Sequence, residues 1–144
     1  MKTNNATIRF SAALLSLLLL FCFAGCREKT PTELLWSDAI YTEDTALGSG
    51  QITISLTVTA GEKSVVLTLS SDKNNLAQVL QETALVEGED GPYGLYVKKV
   101  NGILADYDVD QTYWALYCND QRADTGVSGV TVTNGARYAL VREG

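Results

Sequence analysis

The side chains able to do chemistry in this chain are few, and most are carboxylates or aromatic rings. Histidine is absent from all 144 residues. That removes the usual general base, the usual triad partner and the commonest metal ligand together. Asp106, Asp108 and Asp110 alternate in Ala-Asp-Tyr-Asp-Val-Asp and would share one face of an extended segment. They miss the calcium-loop pattern, because Gln111 stands where a glycine is needed and Tyr117 where a glutamate is needed. A solvated acidic connector is expected there. Glu87, Glu89 and Asp90 sit among glycines, with no spacing that ties them to a cleft. The glycines of 88–94 lack the Gly-Lys-Ser/Thr of a phosphate loop. Cys118 lies in an apolar run without a base beside it, so it is expected to be a buried small hydrophobe. No catalytic residue and no metal ligand is assigned, and an enzyme is not expected.

The aromatic run 113–118 (YWALYC) is different. In a strand, Tyr113, Ala115 and Tyr117 face one way and Trp114, Leu116 and Cys118 the other. Large rings on both faces exceed what a helix-covered sheet needs. With Tyr93, Tyr96 and Tyr107 they make the second half of the chain rich in amphipathic rings. Such rings suit a planar, partly apolar ligand. The plainer alternative is a core tryptophan with tyrosines bordering the sheet.

The elements that must position these rings follow from periodicity. Residues 51–60 (QITISLTVTA) and 64–70 (SVVLTLS) alternate apolar and polar around Gly61-Glu62-Lys63, which reads as a β-hairpin. The period then becomes helical. Asn75 precedes Gln78 by three, a capping-box spacing, and Leu76, Val79, Leu80 and Ala84 share a face, so a helix is expected over about 75–85. Gly88-Glu89-Asp90-Gly91-Pro92 should stop both helix and strand. Strands are expected at 94–100, 113–118, 127–132 and 136–142, with turns at Asn101-Gly102 and Asn119-Asp120 and a type I′ hairpin turn at Asn134-Gly135. The fold expected is α+β: a small β-grasp-like domain, a mostly antiparallel sheet with one helix.

The first 25 residues belong to another class of segment. Lys2 and Arg9 precede an uncharged run over 10–26 whose apolar core, Leu14–Phe23, is too short to span a bilayer. This reads as a secretory signal. Its end, Phe23-Ala24-Gly25-Cys26, resembles a lipobox, in which the Cys26 thiol takes a thioether-linked diacylglycerol. The expected layout is a lipoprotein signal peptide at 1–25, a lipidated Cys26 with a tether or arm over 26–49, and a β-rich domain over 50–144. Arg27–Glu33 reads as a flexible spacer. Cys22 leaves with the signal and Cys26 is acylated, so Cys118 has no disulfide partner. From Cys26 onward 17 acidic residues face 9 basic ones, a net charge of −8. Such a body is a poor nucleic-acid binder, because phosphate neutralisation needs clustered Lys and Arg. The expected location is the extracytoplasmic face of the cell membrane, held by lipid.

Taken together, Gly91–Ile103, Tyr113–Asp120, Thr125-Gly126-Val127 and Asn134-Gly135 resemble the transcobalamin C-terminal-like domain of bacterial lipoproteins. The resemblance covers roughly residues 50–142. It implies a small β-rich lid that closes over one face of a corrinoid held by a separate helical domain. By position it implies ligand contacts at Trp114, Leu116, Gly126 and Val127, with Tyr117 beside them. It also implies a corrinoid such as cobalamin as ligand, and a membrane transporter or a helical partner protein. The functional expectation is therefore a lipid-anchored ligand-binding module that presents a corrinoid-like ligand to a transporter. The alternative is a surface interaction or adhesion module with no small-molecule ligand.

Overall fold

The computed structural model describes residues 28–144. The expected leader and Cys26 lie outside the described residues. In chain order the elements are α1 (Pro31–Leu35), β1 (Thr45–Gly48), β2 (Ile52–Ala60), β3 (Lys63–Ser71), α2 (Leu76–Glu82), β4 (Val86–Gly91), β5 (Gly94–Val100), β6 (Ile103–Leu104), α3 (Tyr107–Asp110), β7 (Tyr113–Cys118), β8 (Gln121–Arg122) and β9 (Arg137–Glu143). Short 3₁₀ turns occupy Trp36–Asp38 and Val127–Gly129. The fold is α+β, mostly strand with a few short helices. Two sheets are present rather than the one expected: six strands in the order β1-β3-β2-β9-β7-β8, and three in the order β4-β5-β6.

The hairpin forms where alternation demanded it. Ile54, Leu56, Val58 and Ala60 of β2 and Val65, Leu67 and Leu69 of β3 are buried, while the intervening Thr and Ser residues face away. Each large aliphatic side chain taken fully from water contributes about 1.5–3 kcal/mol. Helix α2 adds Leu76, Ala77, Val79 and Leu80 to the same core. Its cap is half of the expected box: Gln78 N–H donates to Asn75 Oδ1 at 3.4 Å. The last strand, β9, enters the middle of the large sheet, parallel to β2 and antiparallel to β7. Leu56 lies opposite Tyr138, and Leu140 opposite Leu116.

Several local expectations are corrected. Arg27–Glu33 is not all spacer. Thr30 accepts from Glu33 N–H at 3.2 Å and donates its own N–H to Glu33 Oε2 at 2.7 Å, a complete capping box with Pro31 at the first turn. From there the stretch expected as tether and arm is folded onto the body. Trp36 is buried, its indole N–H donates to Ala60 O at 2.8 Å, and Lys63 Nζ stands 4.8 Å above the ring. Asn101, fully buried, clasps Tyr41 through its side-chain amide at 2.8 and 2.9 Å. β1 then pairs in parallel with β3.

The glycine-rich segment after α2 does not stop a strand. Val86–Gly91 forms β4 against β5, and the register shift between Glu87 and Gly88 is a bulge. Glycine is required there, because a Cβ on Gly88 would collide with the Tyr96 carbonyl. Residues 127–132 are not a strand: they make a 3₁₀ turn and a single bridge from Thr131 to Asn75. Asn134-Gly135 is not a type I′ hairpin, since only Gly135 has positive φ. Instead Asn134 Oδ1 accepts from Thr53 N–H at 2.8 Å. Asn119 and Asp120 do adopt φ of 47° and 68°, the two left-handed residues of the tight β7–β8 turn. Asp106–Asp110 is not extended either; Asp106 caps α3 by accepting from Asp108 N–H at 3.1 Å.

Candidate functional site

A cleft of about 520 Å³ opens beside β7. That volume falls within the range usual for small-molecule sites. Three segments wall it. The β4–β5 hairpin contributes Tyr93, Leu95, Tyr96 and Val97; β7 contributes Tyr113 to Leu116; and the end of β8 with the chain after it contributes Arg122 to Val127, with Leu140 of β9 behind. Tyr93 stands at the hairpin tip almost wholly in solvent, while Trp114, Leu116, Val127 and Leu140 are buried at the cleft's back. Of the aromatic residues expected from the sequence, Tyr93, Tyr96, Tyr113 and Trp114 line the cleft, on two separate ribbons that only the tertiary fold brings together, whereas Tyr107 of α3 does not.

Trp114 is nine-tenths buried, yet among the described residues its indole N–H has no acceptor. A buried donor left unpaired costs about 1–3 kcal/mol. The main chain of β7 offers more. Asn119 N–H donates to Arg137 O at 2.7 Å, which sets odd-numbered β7 residues toward β9 and even-numbered ones toward β8. β8 is two residues long, and its last tie is Ala123 N–H to Leu116 O at 2.9 Å. Beyond it, the Leu116 N–H and both main-chain groups of Trp114 face an edge that no described strand covers. The cleft floor is therefore a short run of donor, acceptor and donor.

Gly126 has φ of −79°, so its backbone does not require glycine. A methyl group added there would meet no atom within 4 Å. The glycine leaves open space on the wall rather than permitting a turn.

Of the sequence-derived ligand residues, the cleft unites Trp114, Leu116, Gly126 and Val127. Tyr117 is not among its lining residues. It lies on the other face of β7, where its hydroxyl donates to Glu143 Oε1 at 2.7 Å. That carboxylate, chiefly, and burial next, raise the Tyr117 pKa above its usual value. Tyr113 OH donates to Glu143 Oε2 at 3.0 Å, and Arg122 Nη1 donates to the same oxygen at 2.7 Å. The guanidinium spans the two rings, 5.9 Å from the Tyr113 centroid and 5.8 Å from that of Tyr117. Arg122, foremost, holds the Glu143 carboxyl below the ordinary carboxylate range. Tyr113 and Arg122 belong both to this cluster and to the cleft lining. Sequence reasoning singled out neither Tyr93 nor Tyr96 as a site residue, although their place two and five positions after Gly91 in a ring-rich half was visible. Arg122 carried no signal at all.

The remaining titratable groups serve structure. Asp110 accepts from Thr112 Oγ1 at 2.5 Å and from Arg142 at 2.7 Å, and the Thr112 bond above all lowers its pKa. Lys98 is paired with Glu89 at 3.0 Å and Asp106 at 3.5 Å. Cys118 is half-buried, and burial pushes its thiol pKa up, against reactivity. Among the described residues no group of three or more His, Cys, Asp or Glu is placed to hold a metal ion. Also among them, no helix is long and apolar enough to cross a membrane.

Residues 74–137 match the family model of a domain of unknown function, DUF4430. No curated protein matches the chain. Among solved structures, the chain is similar to a protein from Ruminococcus gnavus ATCC 29149 described as a candidate metal-binding protein, with a TM-score of 0.61 and 29% identity over 65% of this chain and 97% of that one. It is also similar to haptocorrin in complex with Cbi, with a TM-score of 0.52 and 17% identity over 64% of this chain. The match spans 25% of the haptocorrin chain, so this likeness speaks for the fold alone. The cleft and the DUF4430 match overlap across the β4–β5 hairpin, β7 and the 122–127 wall.

Proposed function

We propose that this chain is a ligand-binding module whose cleft takes a large, partly planar ligand bearing amide groups, of the corrinoid class. The observation that carries the reading is the unpaired, buried Trp114 indole N–H at a cleft whose floor is an open strand edge. A ligand carbonyl reaching that donor would remove an unsatisfied polar group, and amides along the ligand's rim would complete the donor–acceptor row of β7. Tyr93 and Tyr96 would lie against its flat face. The fold likeness to haptocorrin in complex with Cbi supports the corrinoid class. The description of the Ruminococcus gnavus protein would suggest a metal, but the described residues offer no ligand set for one, so no metal is assigned here.

The proposal extends to the rest of the chain. Cys26 carries lipid, residues 1–25 are removed, and the domain works at the extracytoplasmic face without catalysing a reaction. It passes ligand to a transporter or shares it with a helical partner. The hairpin β2–β3, the helix α2 and β9 inserted parallel to β2 support the β-grasp arrangement.

The test is a titration of the full chain, purified in detergent, with cyanocobalamin followed by its visible absorbance. Saturable binding in the micromolar range is expected, and Trp114→Phe should weaken it about ten-fold by removing one hydrogen bond. Absence of any saturable change at high micromolar ligand overturns the corrinoid reading. A second reading rests on the same open edge: a partner protein adds a strand to β7 at Trp114. Stoichiometric co-purification of a protein, with no coloured ligand, would favour it.

A further inference from the structure

The carboxylate of Glu143 does not line the cleft, yet it accepts hydrogen bonds from two residues that do: Arg122 at 2.7 Å and Tyr113 at 3.0 Å. A third bond, from Tyr117 at 2.7 Å, fixes it to β7. β8 needs such help. It has two residues, and after Ala123 the chain runs from Asp124 to Gly126 with no main-chain tie to β7 before Val127 enters the core. A two-residue edge strand is marginal by itself. The guanidinium of Arg122, held by Glu143 and resting across both tyrosine rings, fastens the start of this wall to the outer face of the large sheet.

We propose that Glu143 is a positioning residue of the cleft, holding Arg122 and Tyr113 at its rim and through Arg122 ordering the wall from Ala123 to Gly126. The proposal deepens the ligand-binding reading and rests on it for its effect on affinity. Its effect on the wall does not depend on any ligand. The Glu143 side chain is one-quarter exposed and does not belong to the apolar core, so its loss leaves the core intact.

Two measurements on the full chain in detergent test it. Amide hydrogen exchange without ligand should show residues 122–127 of Glu143→Ala exchanging about ten-fold faster than wild type, with the core strands β2 and β3 unchanged. Cyanocobalamin titration should show Kd raised about five-fold in the same variant, because the rim must be ordered on binding. Glu143→Gln keeps one acceptor oxygen and places an NH2 donor at the other position, so it retains part of the network and should recover part of each effect. Unchanged exchange at 122–127, or acceleration spread evenly through the domain, overturns the proposal. So does wild-type affinity in Glu143→Ala when wild type itself binds. If wild type binds nothing, the corrinoid reading fails, and the exchange measurement alone decides whether Glu143 orders the wall.

Discussion

The two faces of β7 solve opposite problems with neighbouring residues. On the inner face Trp114 and Leu116 are buried, and they carry the back of the cleft. On the outer face Tyr113 and Tyr117 keep their hydroxyls and satisfy them on Glu143, with Arg122 across their rings. The inner face holds an apolar body with one unanswered donor. The outer face holds a closed polar network in which each group has a partner. Shape at the cleft is thus supplied by packing, which tolerates few changes, whereas the rim is supplied by surface electrostatics, which tolerates many. An unpaired donor belongs where a ligand is to come; a satisfied network belongs where something is to be held still.

Removing the inner ring should break this contrast most strongly. Trp114→Ala deletes a core side chain and is expected to lower unfolding free energy by about 3–5 kcal/mol, measured by urea denaturation. Leu116→Ala, beside it, should cost about 2–4 kcal/mol. A loss below about 1 kcal/mol for either would mean that the inner face is not the core it resembles. Trp114→Phe separates packing from the donor. It should cost less than about 1.5 kcal/mol of stability while still weakening cobalamin binding. Equal binding would show that the indole N–H has no ligand to meet.

Gly126→Val probes the wall. The backbone and the free space accept a side chain, so the denaturation midpoint should stay at the wild-type value while binding falls. A loss of stability instead would place the glycine's role in the fold. The smallest effect belongs to the outer face. The Glu143 pKa is lowered in the folded state, so its contribution is fully present above the ordinary value of about 4.5 and lost as pH falls through the folded pKa. Glu143→Gln should flatten that part of the acid limb of the stability curve. Asp110, lowered mainly by Thr112, leaves its own part of the limb in place. An unchanged acid limb in Glu143→Gln would mean that the outer network contributes nothing to folding.

Much of the fold was legible because alternation is a local property. Ile54 to Ala60 and Val65 to Leu69 had to share a face, and β2–β3 formed where the pattern lay. β7 had the residues expected of it to the last one. What failed was local signal overridden by partners distant in sequence. Glu87 to Gly91, rich in residues that disfavour strands, is a strand because β5 supplies its ladder. Val127 to Val132, which looked like a strand, is committed elsewhere: Val130 accepts from Leu76 N–H at 3.0 Å, and Ser128 O accepts from Asn75 at 2.9 Å. Thr30-Pro31-Thr32-Glu33 carried its capping box in plain view, without the apolar run that usually follows one. The site was legible in half. Trp114 and Leu116 alternate in register, so their shared face followed from the strand period. Tyr117 shares its parity with Tyr113 and Ala115, which do line the cleft, so the strand period did not decide its exclusion; its place at the β8 end of β7, with its hydroxyl on Glu143, did.

The absence of histidine chemistry, the acidic balance of the body, the main hairpin and the face that Trp114 shares with Leu116 can all be read from the order of the residues. Each depends on residue identity or on a period of two, and neither needs a distant partner. Folding in three dimensions was needed to set Tyr93 and Gly126 across a cleft from Trp114, to end β8 after two residues, and to bring Glu143 back to hold Arg122. Those are juxtapositions of residues 12 or more positions apart. Their geometry is fixed by how the two sheets and α2 share one core, which no local pattern records.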